Sequence, residues 1–120
     1  MSTHEQLLIA SICPAIQAKN MIRFWYENAT SQIKEWRIVE PYLIGMYANR
    51  SIQLSGWLLP TPEQIQSGKK EAWRSYILKN ISQLQVLGQF QNSRQDFDPQ
   101  GSGMTEIFCS GKKDPFMRIV

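Results

Sequence analysis

The chain has 120 residues, 42% hydrophobic and 19% charged. That is enough to bury one core without metals or cross-links, and too apolar for disorder. The net charge of +3 and a pI near 9.0 permit an anionic partner without requiring one. No apolar run approaches the ~20 residues of a membrane helix, and Met1 to Glu5 carries no basic leader. A cytoplasmic location with no membrane partner is expected.

In chain order, the first element reads as a helix. Ser2 or Thr3 caps it, and Leu7, Leu8, Ile12, Ala15 and Ile16 fall on one face at helical spacing. Pro14 lacks an N–H and predicts a kink or two short helices, with Asn20 as a stop. His4 falls in a frayed end on this reading. Met21 to Tyr26 then alternates: Ile22, Phe24 and Tyr26 share one face of a strand, Arg23 and Trp25 the other. A second strand covers Trp36 to Val39, Pro41 breaks it, and Tyr42 to Tyr47 resumes extended chain. Ala48-Asn49-Arg50 makes a hairpin loop. In Ser51 to Leu59, Ile52, Leu54, Gly56 and Leu58 face one way, while Gln53, Ser55, Trp57 and Leu59 face the other.

Thr61-Pro62-Glu63-Gln64 combines an N-cap threonine, a proline at the first helical position and a glutamine at the third, which opens a short helix. Two more strands follow, Trp73 to Leu78 and Ile81 to Leu87. Gln89 to Gly103 reads as a polar loop, and Met104 to Cys109 as an extra strand. An apolar end, Phe116 to Val120, docks on the domain or pairs with a partner. Cys13 and Cys109 stand far apart in the sequence, so two reduced, packed thiols are expected. The pattern is mainly β with short helices: five short strands closed into a small barrel behind an N-terminal helix.

Four stretches together resemble the WYL domain of bacterial regulators. Ala15 to Tyr26 is similar to that family's opening helix and first strand, and Arg37-Ile38-Val39-Glu40-Pro41-Tyr42-Leu43 to its arginine-to-proline strand. Ser51 to Trp57 and Trp73 to Ile81 resemble the name-giving strand and the arginine-aromatic strand. The resemblance implies one domain over 1–120, with a core at about 12–88 and a C-terminal extension over 89–120. It further implies an Sm-like or SH3-like β-barrel, and a regulatory role in which a basic groove senses ligands such as nucleotides or nucleic acid. The sequence departs from the family at Ile52-Gln53-Leu54, where only the leucine matches, and at Lys79-Asn80, which replaces an acidic-then-arginine pair. With only about twenty residues before the first strand, a standalone or partner-dependent version without its own helix-turn-helix is expected.

Catalysis has little to work with. The sole histidine is His4, no zinc-ligand cluster or phosphate-cradling loop is present, and Glu35 and Glu40 read as surface charges on opposite strand faces. No enzyme activity, cofactor or metal is expected. Binding has more. Arg37, Arg50, Arg74 and Lys79 come from strands and loops that neighbour one another in a small barrel, and Trp57 and Tyr76 offer flat faces for a base. Those six are the candidate ligand-binding residues, with Arg74 foremost. The expected function is a non-catalytic sensor that binds a nucleotide or single-stranded nucleic acid. The alternative is an assembly module that homodimerises or joins a partner regulator protein.

Overall fold

A computed structural model describes residues 1–90, 94, 97 and 103–111. Helix α1 (Thr3–Ala18) opens with a capping box. The Ser2 hydroxyl accepts the Glu5 N–H, and the Glu5 carboxylate accepts the Ser2 N–H. The helix runs through Pro14 as one piece, not as two short helices. Burial of Leu8, Ile12, Ala15 and Ile16 on both sides of the proline outweighs the single lost backbone bond. Lys19, in the left-handed region at φ 56°, ends it, and Asn20 already belongs to the next strand. The expected frayed end is instead docked: His4 Nε2 lies 2.8 Å from the Ile81 carbonyl.

The remaining elements are β1 (Asn20–Asn28), β2 (Ile33–Met46), β3 (Ile52–Leu58), α2 (Pro62–Gln66), β4 (Ala72–Ile77), a 3-10 turn (Leu78–Asn80), β5 (Ile81–Gln89) and β6 (Glu106–Ser110). The expected cap of α2 forms as read: the Thr61 hydroxyl accepts from Gln64 N–H, and Gln64 Oε1 accepts from Thr61 N–H. The two extended runs expected around Pro41 are one 14-residue strand with a bulge between Pro41 and Leu43.

Strands pair antiparallel in the order β4-β3-β2-β1-β5, and β6 joins β2. The fold is therefore mainly β behind an N-terminal helix, but the sheet is open where a closed barrel was expected. Alternating side chains specify which face is buried; they do not specify closure. Here α1 and its apolar stripe cover the face that closure would have buried. Strand β3 lines one edge of β2 over Val39 to Met46, while β1 holds the other edge as far as Val39 and β6 takes it from Leu43 onward.

The main core lies between α1 and the sheet around Ile12, Ile22, Phe24, Ile44, Leu54 and Leu78. A smaller one, Tyr42, Leu43 and Phe97 with Trp57, Trp73, Phe90 and Met104, lies against the opposite face. The two cysteines, expected to be reduced, form a disulfide across a separation of 96 residues and tie α1 to β6. Sequence spacing hides this pairing, because α1 and β6 meet only through their common packing beside β2. Apart from Phe90, Arg94, Phe97 and Gly103, the expected loop over Gln89 to Gly103 lies outside the described residues from 91 onward, and so does the apolar end Phe116 to Val120.

Two measurements check this fold. Reducing the disulfide, or replacing Cys13 and Cys109 together by Ser, is expected to lower the unfolding free energy by about 2–5 kcal/mol. The sheet's circular dichroism should be retained, and an unchanged urea midpoint contradicts the cross-link. Gly56 sits where an added Cβ would meet the Val39 side chain and come within 2.7 Å of the Glu40 carbonyl oxygen. Gly56→Ala is therefore expected to cost about 1–3 kcal/mol in the same assay.

Candidate anion-binding site

The site follows from strand register. Arg37 lies opposite Phe24, and Arg74 lies opposite Gly56, with Tyr76 opposite Leu54 one pleat further along β4. Phe24 and Leu54 are core residues on the α1 side, so Arg37, Arg74 and Tyr76 all project from that face. Gly56 adds no side chain to the row that Arg74 occupies.

Arg37 is 4% exposed. Its guanidinium reaches Glu35 at 2.6 Å, and Lys69, from the segment between α2 and β4, meets the same carboxylate oxygen at 3.2 Å. That oxygen makes no well-directed hydrogen bond, but these two cations answer its charge. Arg37 Nε and the Tyr76 hydroxyl are both buried without a hydrogen-bond partner. Burial pushes the Tyr76 phenol up to about 12; the charges of Arg37 and Arg74 oppose that shift, while Tyr26 and Glu35 add to it. At neutral pH the phenol is thus protonated and a donor. Its ring packs edge-on against Phe24 at 5.2 Å and Tyr26 at 5.1 Å, which holds it in place. Arg74 is exposed and makes one long bond, 3.5 Å, to the Trp73 carbonyl. Two cations meet one carboxylate here, Arg74 adds a third positive charge on the same face, and two buried donors have no acceptor among the described residues. This arrangement can receive an oxyanion.

The other expected site residues lie elsewhere, so the single groove anticipated from sequence is divided. Trp57 is on the opposite face, with its ring against Trp73 and its indole N–H on Glu71. Arg50 stands exposed in the β2–β3 hairpin at φ 66°, away from the sheet's faces. Lys79, on the 3-10 turn, lines a shallow cleft with His4, Glu27, Asn80 and Ser82. Sequence reasoning missed Lys69, and it took Glu35 and Glu40 for surface charges although Glu40 is 6% exposed. The i, i+2 spacing of Glu35 and Arg37 on one strand face was the available signal.

A phenol whose folded pKa lies above its unfolded value of about 10 stabilises the protein below pH 10 and loses that contribution as pH rises through the folded value. Burial also raises the Tyr42 phenol to about 12, with the nearby Glu40 carboxylate adding to the shift and the Arg94 backbone N–H opposing it. Unfolding free energy is therefore expected to fall between pH 10 and 12. Tyr76→Phe should make that decline shallower, and an unchanged slope contradicts the burial of the phenol.

No curated protein matches the chain. Among solved structures it is similar to the Proteasome accessory factor B/C (PafBC) of Arthrobacter aurescens, at TM-score 0.60 and 22% identity. The match covers 82% of this chain and 14% of that one, so this chain spans a small part of that protein's length. The likeness speaks for the fold. The family model of the WYL domain matches residues 8–86, which contain Arg37, Arg74 and Tyr76, and supports a regulatory or sensor-type domain in general. By sequence over that stretch, the chain belongs to the WYL domain family.

Proposed function

We propose that this chain is a non-catalytic sensor domain that binds the phosphate of a nucleotide or single-stranded nucleic acid at Arg37, Arg74 and Tyr76, with Lys69 beside them. The observation that carries the reading is the pair of buried donors, Arg37 Nε and Tyr76 Oη, left without acceptors on the face that also presents the exposed Arg74. A buried unpaired donor costs about 1–3 kcal/mol, so an oxyanion that satisfies both relieves that cost at each. Phosphate fits better than carboxylate, because its tetrahedral oxygens, three on a terminal phosphate and two on a phosphodiester, diverge towards two guanidinium groups and a phenol. Trp57 and Trp73 face away and cannot stack on the same ligand's base. The reading therefore assigns affinity to phosphate and little to base identity.

A second reading, assembly into a homodimer or with a partner regulator protein, has one observation in its favour. Strands β4 and β5 end the sheet and, among the described residues, each pairs on one side only. Such edges accept an added strand.

Fluorescence anisotropy with a labelled oligonucleotide, and competition by a mononucleotide, test the first reading. Binding is expected to weaken steeply as salt rises. Arg74→Ala should weaken it by about tenfold or more. No binding at low salt, or binding indifferent to Arg74→Ala, overturns it.

A further inference from the structure

The opposite face carries a second recess of opposite sign. Glu40, Trp57 and Trp73 stand in one cross-strand row of β2, β3 and β4. The Glu40 carboxylate takes Arg94 in a fork, with Nε donating to Oε1 at 3.0 Å and an Nη to Oε2 at 3.2 Å. The same guanidinium lies over the Trp57 ring, 4.5 Å from its centroid, and 3.7 Å from Glu71. The Tyr42 hydroxyl accepts the Arg94 backbone N–H at 2.7 Å and donates to Glu40 at 3.4 Å. A planar cation is thus held by a matching fork, an aromatic face and a second acid, three features that suit guanidinium better than ammonium.

The walls and the occupant come from different parts of the chain. Glu40, Tyr42, Trp57, Glu71 and Trp73 lie inside the family stretch 8–86, and Arg94 lies beyond it. With Arg94 in place Glu40 is 6% exposed, and removing that guanidinium would leave the carboxylate facing Glu71 and the Tyr42 hydroxyl without the cation that answers its charge. The recess therefore needs a guanidinium, and the extension supplies one.

We propose that this recess is an arginine-accepting site of the domain, filled by Arg94 as a built-in ligand, and that the partner it fits is an arginine-bearing segment of a second protein that displaces Arg94. The anion site takes the opposite charge on the opposite face, so the two claims stand or fall separately. Because Arg94 is tethered to its own site, an external arginine meets an internal competitor, and its binding to the unaltered protein is weak.

The test uses the full chain with Arg94→Ala and N-acetyl-arginine amide as probe, read by tryptophan fluorescence and by the thermal midpoint. The variant should melt lower than the parent, and the probe should raise its midpoint saturably. Binding to the parent, and binding of N-acetyl-lysine amide to the variant, should each be about tenfold weaker or more. Adding Glu40→Gln to the variant should abolish the response. If Arg94→Ala does not fold, Arg94→Lys serves: it keeps a cation without the fork, and the arginine probe should still bind it more tightly than it binds the parent. Absence of saturable binding to the variant that folds, an equal response to the lysine probe, or indifference to Glu40→Gln overturns the proposal.

Discussion

Pro41 divides the longest strand of the protein without ending it. Proline has no N–H to give to a ladder, and the partner along that edge of β2 changes across it. The β1 ladder stops at Val39, and the β6 ladder starts at Leu43. On the other edge β3 continues past the proline, because Gly56 lets the two backbones approach where any Cβ would collide. One strand thereby supports three others. The extra residue of the bulge puts Leu43 beside Tyr42 on the face away from α1, where Tyr42 anchors the smaller core with Trp73 and Phe97.

The same strand separates two charged sites. Arg37 and Glu40, three residues apart on β2, point to opposite faces, and both are nearly inaccessible to solvent. Each needs a counter-charge at that depth. Arg37 finds Glu35 on its own strand, while Glu40 finds Arg94 from beyond the family stretch. The first pairing leaves Arg37 Nε and the neighbouring Tyr76 hydroxyl without acceptors among the described residues, and the proposed anion site rests on these two donors. The second meets both oxygens of the carboxylate from within the chain. The proposed site and the filled one thus differ in how many hydrogen-bonding positions each buried charge retains.

Much of this was legible in the sequence wherever the controlling interactions are local. The alternation of Ile52, Leu54, Gly56 and Leu58, the cap at Thr61-Pro62-Gln64 and the two-residue step from Arg74 to Tyr76 each reflect a backbone period. The structure keeps all three. The WYL resemblance rested on the order of such segments and is also kept. What was hidden depends on tertiary register. Strand parity places Trp57 opposite to Leu54 and Leu58, but only cross-strand pairing shows that Arg74 shares the Leu54 face. The disulfide and the His4 contact join segments 96 and 77 residues apart, and Arg94 sits in a polar run with no periodicity to mark it.

On the proposed function, ligand anions meet Arg37 and Tyr76 on the α1 face and leave the tryptophan face alone. Side-chain NMR during titration with a mononucleotide tests this most directly. The Arg37 Nε–H and Tyr76 ring signals are expected to shift together, with the Trp57 indole N–H unmoved. Shifts centred on Trp57, with Arg37 and Tyr76 silent, would contradict it.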